Sequence, residues 1–224
     1  MKIKAFLLTL VVIINIFLVT GCGEKNREYD EAEVRAAALE LIPASKLLNE
    51  IFWGAGILYS DNKSEAEGRY YQADIVSCSY YGVDTVEDIK TKTRACFSEE
   101  YSNIIIGTKL SSVVDDDGVP MTYVRYYQKK NALDGSDECI MVDKNATVLL
   151  KDEITYDYQS LRVSHSEGDE VIAYITATVK NNEDGKEQQR EITVRLIEES
   201  DGWRINSPTY VTYFDRTDYD NIQE

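Results

Sequence analysis

Residues 170–214 carry the clearest alternation in the chain. Val171, Ala173, Ile175, Ala177 and Val179 alternate with Ile172, Tyr174, Thr176 and Thr178, the period of two that sends successive side chains to opposite faces of a strand. The turn formers Asn181 to Gly185 interrupt it, and Ile192, Val194 and Leu196 resume it against Glu191, Thr193 and Arg195. Asp201-Gly202 follows, a pair that tolerates the positive φ angles of a tight hairpin, and a third strand begins at Trp203. Upstream, residues 121–129, 139–142, 147–150 and 154–163 read as further strands, punctuated by Asp134-Gly135 and Asp143-Lys144-Asn145.

The N-terminal half has the helical period instead. From Tyr29 onward Val34, Ala38, Leu41, Ser45, Leu48 and Phe52 recur at spacings of three and four. Leu39, Ile42 and Ile51 widen that stripe to the breadth of a helix lying on a sheet. Pro43 lacks an amide donor and predicts a kink, or a second segment from Ala44, and Trp53-Gly54-Ala55-Gly56 ends the helix. Residues 61–68 form a charged loop, and 69–78 fit a strand or the end of a helix equally well. Thr85 with Asp88 three residues later has the form of a capping box and predicts a helix over 86–97. Ser98 with Glu99 and Glu100 predicts another, running through Tyr101, Ile104 and Ile105 toward Gly107. Helices first and then five or six strands predict an α+β domain, its N-terminal helices packed on one face of a strongly bent antiparallel sheet. At 224 residues the chain accommodates one such domain over 29–214, followed by an acidic tail, 215–224, with no apolar pattern.

The first residues lie outside that domain. Lys2 and Lys4 precede an apolar run from Ala5 to Val19 broken only by Thr9 and Asn15, the n-region and h-region of a signal peptide. The run is at the short end for spanning a bilayer. Val19-Thr20-Gly21-Cys22 resembles the lipobox of bacterial lipoproteins. That resemblance implies a signal peptide over 1–21, a lipid thioether on Cys22, a short tether over 22–28, and a folded domain on the extracytoplasmic face of a bacterial membrane. Removing 1–21 takes away two lysines and no acid, which moves the formal net charge from −16 to −18. Nucleic acid is excluded as a partner, because phosphates require a cationic surface.

Three cysteines remain, Cys78, Cys96 and Cys139, an odd number that cannot pair completely within one chain. An oxidising compartment permits a bond, with 78 to 96 the shortest span, and three free buried thiols are equally compatible with the sequence. No C-x-x-C spacing supports a zinc ribbon or a thioredoxin-type site.

The order of elements resembles the cystatin-like cone of the nuclear-transport-factor-2-like superfamily. The residues that carry the likeness are the helix ending in Phe52-Trp53-Gly54, the helix pair 85–97 and 98–106, and the closing Val194-Arg195-Leu196 through Gly202-Trp203-Arg204-Ile205 to Pro208. The resemblance implies a strongly bent sheet whose open end is closed by helices, with a cavity between them. In that superfamily the cavity serves isomerases, dehydratases and many domains that only bind, and its catalytic tyrosines, acids or histidine match no named position here.

His165 is the only histidine, in the polar stretch Ser164 to Gly168, and no nucleophile or orienting acid stands near it in sequence. Acid clusters at 115–118, 134–138 and 215–220 lack the D-x-[DN]-x-[DN]-G order of a calcium loop and read as turns and surface. Neither a metal nor a cofactor is expected. The sixteen tyrosines are more informative. Their rings with polar tips suit a wet pocket or an interface, although strands favour tyrosine on their own account. Trp53, Tyr123, Tyr174 and Trp203 are the candidate ligand-binding residues. The expected function is a non-enzymatic, lipid-anchored module that binds a small ligand, a peptide or an envelope component. The alternatives are an isomerase- or dehydratase-type enzyme with a buried acid or tyrosine, and an assembly module that dimerises sheet on sheet.

Overall fold

The computed structural model describes residues 28–60, 66–110, 122–130 and 138–213. The signal segment, Cys22, the acid stretches at 115–118 and 134–137 and the tail lie outside the described residues. Helix α1 (Glu31–Trp53) starts at Asp30, whose carboxylate accepts from the Ala32 and Glu33 amides at 2.8 and 3.4 Å, with Glu31 and Glu33 at the positive end of the helix dipole. It buries Val34, Ala38, Ile42, Leu48, Ile51 and Phe52 and runs through Pro43 as one element. Pro43 sits on the exposed side, where water reaches the carbonyl left without its donor.

The ambiguous stretch 69–78 contains both alternatives. Strands β1 (Ala66–Glu67) and β2 (Tyr70–Gln72) precede helix α2 (Ile75–Tyr81), which Asp74 caps by accepting from the Ser77 amide at 2.8 Å and which Gly82 ends at φ +62°. Helix α3 (Val86–Cys96) carries the capping box of Thr85 and Asp88, and helix α4 (Glu99–Lys109) is capped by Ser98. No helix among the described residues is long and apolar enough to cross a membrane.

The chain then enters β3 (Tyr126–Lys130), β4 (Glu138–Asp143), β5 (Glu153–Glu167), β6 (Glu170–Lys180), β7 (Glu187–Glu199) and β8 (Gly202–Ile205). Among the described residues every pairing between these strands is antiparallel, but they form two sheets, ordered β1-β2-β4-β3 and β5-β6-β7-β8, where the sequence pattern predicts one. The division falls at 144–152. The expected strand over 147–150 does not form, because the Leu149 and Leu150 amides both donate to the Trp53 carbonyl at the end of α1, at 2.8 and 2.9 Å. Backbone committed to a helix end is withdrawn from a sheet ladder.

The second sheet lays Val171, Ala173, Ile175, Ala177, Ile192, Val194, Leu196 and Ile205 into one core with α1, α3 and α4. Its outer face is polar and ion-paired, Arg162 with Glu191 and Arg195 with Glu167 and Glu170. Strand β5 slips register against β6 between Asp157 and Arg162 and again between Val163 and His165, the irregularities that bend a strand and increase its twist. The first sheet is covered on both faces: Tyr126, Ile140 and Val142 join the main core, while Tyr70, Val124, Tyr127, Cys139 and Met141 form a smaller cluster. Cys78, Cys96 and Cys139 are all buried, and Cys78 and Cys96 are free thiols. Burial pushes the Cys78 thiol up to about 11 and the Cys96 thiol to about 12, so neither is a nucleophile at neutral pH.

Candidate functional site

A helix leaves its last carbonyls without internal donors, and the C-terminus of α1 satisfies them from distant parts of the chain. The Ile51 carbonyl accepts from the Tyr126 hydroxyl at 2.8 Å and the Trp53 carbonyl from Leu149 and Leu150. Arg125, only 6 % exposed, donates to the carbonyls of Phe52 (3.1 Å), Gly54 (2.6 Å) and Ala55 (3.1 Å) and through Nε to the Tyr126 hydroxyl (3.0 Å). No carboxylate is among these partners; the guanidinium is balanced by the negative end of the α1 dipole. The Arg125 amide donates to the Lys109 carbonyl at the end of α4, and its carbonyl accepts from Asp143 at the end of β4. One residue thus joins two helix ends and the first sheet.

One turn before that junction, α1 borders a cavity of about 120 Å³ shared with the start of β5 and the segment after β8. It is lined by Asn49, Glu50, Leu150, Ile154, Tyr156 and Tyr210 among others. Asn49 is 2 % exposed, and Ser45, one turn earlier, and Thr209 are fully buried. The hydroxyl of Ser45 donates to the Ile42 carbonyl at 2.8 Å, which leaves its lone pairs to accept from the Thr209 hydroxyl at 2.7 Å. With its proton committed there, Thr209 accepts from Asn49 Nδ2 at 2.9 Å. This order of donation fixes the Asn49 amide: its nitrogen faces Thr209, and its oxygen Oδ1 is buried without a donor. Such an orphan acceptor costs about 1–3 kcal/mol.

Tyr156 closes the same network by donating to the Thr209 carbonyl at 2.8 Å. Burial, then the charges of Tyr158 and Glu50, raise the Tyr156 phenol above its ordinary range. Burial and then Glu50 also push Tyr81 up to about 12. Both phenols are fully protonated at neutral pH. Among the described residues the carboxyls whose acidity shifts, Glu87, Asp88 and Asp184, all move down. Lysine neighbours do this at Glu87 and Asp184, and the Asp84 and Thr85 donors at Asp88; none of the three lines the cavity.

A larger recess of about 230 Å³ between α1, α2 and α3 is walled mainly by apolar side chains, among them Leu41, Leu48, Ile51 and the inert Cys96, with Glu40, Tyr81 and Lys92 as its polar groups. Among the described residues no three His, Cys, Asp or Glu side chains converge as metal ligands do. His165 stands exposed on β5 beside the Ser164 hydroxyl, at 3.0 Å, in a strand that extends past the predicted turn.

The four aromatic candidates are spread over the molecule. Trp53 does not line the cavity but packs behind Tyr210, which does, its ring 5.2 Å from that of Tyr210 and 5.6 Å from Phe52. Trp203 lies at the edge of the second sheet and donates from Nε1 to Glu33 near the start of α1 at 3.0 Å. Tyr174 is on the outer face of β6, opposite the core, beneath the Arg162 guanidinium at 4.3 Å. Tyr123 is 75 % exposed, stacked under Arg69 at 4.1 Å. The sequence pattern passed over Asn49, Thr209 and Arg125. Its available signal was a polar pair, Ser45 and Asn49, one turn apart on the apolar stripe of α1.

The chain matches no protein-family model, and no curated protein matches it at a significant level.

Proposed function

We propose that the chain is a bacterial lipoprotein, anchored through Cys22 to the extracytoplasmic face of the membrane, whose domain is a non-enzymatic binding module of the nuclear-transport-factor-2-like kind. Its ligand is a small polar molecule held in the cavity between α1 and β5. The lipobox-like Val19-Thr20-Gly21-Cys22 supports the anchor. Helices against the inner face of a sheet bent by two register slips support the cone. The observation that carries the binding role is the cavity of about 120 Å³ itself, to which α1, the start of β5 and the segment after β8 bring Asn49, Glu50, Tyr156 and Tyr210. The cavity floor is built to hold hydrogen bonds rather than to exchange protons, since its hydroxyls and its phenol stay protonated at neutral pH.

Two measurements test this. The N-terminal peptide of the mature protein should carry acyl chains on Cys22, and Cys22→Ser should leave the 21-residue leader uncleaved; an unmodified Cys22 on the exported form would remove the anchor. For the cavity, Trp203→Phe leaves Trp53 as the sole tryptophan, in contact with Tyr210. A screen of small hydrogen-bond donors should then give saturable changes in Trp53 emission that Asn49→Leu abolishes. Emission indifferent to every probe would sink the binding role.

A further inference from the structure

Four large apolar side chains stand together in solvent just past the C-terminal end of α1. Helix α2 turns Ser77, Cys78 and Tyr81 toward the core and leaves Ile75, Val76 and Tyr80 73 %, 77 % and 68 % exposed on its other side, where Ser79 is the polar residue among them. Leu58, 59 % exposed, is pinned beside them: its carbonyl accepts from the Asp74 amide at 2.8 Å, and its amide donates to the Ser77 hydroxyl at 2.9 Å. The Tyr80 ring lies 4.9 Å from that of Tyr81, which walls the larger recess, and from there Leu47 and Ala44 carry the surface back along α1. The exposed positions of that helix from Ala36 to Leu47 are Ala36, Glu40, Pro43, Ala44 and Leu47, one charge in five on a chain of formal net charge −16. The solvent side of a helix is ordinarily its charged side, and large apolar side chains exposed as a group mark a contact with protein or membrane.

We propose that this face, Leu58, Ile75, Val76 and Tyr80 with Leu47 behind them, rests on the same bilayer that holds the lipid of Cys22, an inference that depends on the anchor proposed above. The length of chain between the lipid and the domain decides for the membrane. Residues 22–28 extend to at most about 25 Å. An anchored domain therefore stays at the bilayer surface, and docking becomes an intramolecular step for which a small apolar contact suffices. The tether joins α1 at its N-terminus, whereas the patch lies past its C-terminus, 23 residues or about 34 Å along the axis. Contact of the patch thus lays α1 along the membrane plane, its charge-poor side toward the lipid, instead of upright on the tether. A stable interface between two protein molecules engages about 20–30 residues a side, far more than this group supplies, and burial in lipid needs no complementary shape. Glu40 and Lys92 at the recess are opposite in sign, and an acidic domain is repelled by anionic lipid. The attraction is apolar burial, not electrostatic steering.

The test reads depth from one fluorescent label on the mature full-length chain in vesicles of phosphatidylethanolamine and phosphatidylglycerol that carry nitroxide-bearing acyl chains, with the acylation of Cys22 checked by mass spectrometry on the same sample. Cys78, Cys96 and Cys139 are buried, so the label attaches to an introduced cysteine: Val76→Cys, or as reference Thr193→Cys on the exposed outer face of β7, across the sheet from α1. Quenching at position 76 should exceed that at 193 severalfold. Ile75→Asp or Tyr80→Asp, at exposed positions that leave the core untouched, should lower it to the level at 193, because a carboxylate resists transfer into lipid. Added salt should deepen the contact, since screening weakens the repulsion and spares the apolar attraction. Acyl chains on Cys22 with equal, weak quenching at 76 and 193 would overturn the docked face and leave the anchor standing. A Cys22 without acyl chains would overturn both. A label at 76 that is shielded from water but untouched by the lipid quencher would overturn the bilayer as occupant in favour of another protein molecule, a second copy if self-quenching grows with protein density.

Discussion

Arg125→Ala is expected to lower the unfolding free energy by ~3–5 kcal/mol, enough to unfold a domain of ordinary stability in part at 37 °C. Three carbonyls, those of Phe52, Gly54 and Ala55, lose their donors at the end of α1, and each buried acceptor left unsatisfied costs about 1–3 kcal/mol. Part of that loss is offset, because alanine no longer requires a charge to be buried. Arg125→Lys separates charge from geometry. One ammonium keeps the charge opposite the helix dipole but cannot span carbonyls on three residues and the Tyr126 oxygen at once. It should cost about half as much, ~2 kcal/mol. Arg125→Met fills the volume with neither donors nor charge and should fall near alanine if hydrogen bonding dominates. Urea denaturation of the four proteins, followed by circular dichroism, checks this. A methionine variant as stable as wild type would show that the guanidinium only fills space.

The parts of this fold that were legible in the sequence are those whose pattern is local and long. Strands β6 and β7 announced themselves because Val171 to Val179 and Ile192 to Leu196 bury one face and expose the other, so the period of two repeats several times. The start of α3 was legible because a capping box is a contract between residues three apart, Thr85 and Asp88. The stretch 69–78 resisted because it holds a three-residue strand and a seven-residue helix, each too short for a period to appear. Their identities come from partners far away, Tyr70 opposite Asp143 and Tyr71 opposite Val142. Division into two sheets was hidden for the same reason: apolar alternation marks a strand but not its neighbour. Of the candidate site, Trp53 was found as a large ring at a helix end. Asn49 and Arg125 were not, since their roles depend on Thr209 and on the carbonyls of residues 52–55, more than 65 positions away in sequence.

Gly56→Ala should be as damaging as losing Arg125, ~4 kcal/mol or more, although it adds a single methyl group. Gly56 sits at φ +71°, where an L side chain is strained by ~1–2 kcal/mol. Its added Cβ would stand 2.2 Å from the Tyr126 hydroxyl oxygen, 2.5 Å from Arg125 Nη2 and 3.0 Å from the Ile51 carbonyl oxygen. Neither side chain is free to retreat. The fully buried Tyr126 hydroxyl donates to Ile51 and accepts from the Ile57 amide at 3.1 Å and from Arg125 Nε, so making room means breaking the junction. This cause can be separated from backbone strain. Tyr126→Phe alone should cost ~1–3 kcal/mol for the hydrogen bonds it removes, but it also removes the oxygen that the new methyl would strike. In the Tyr126→Phe background Gly56→Ala should therefore cost at least ~1 kcal/mol less than in the wild type, a coupling measurable in a double-mutant cycle. Strictly additive costs would mean that the left-handed backbone and the remaining contact with Arg125, and not the Tyr126 oxygen, are what demand glycine at position 56.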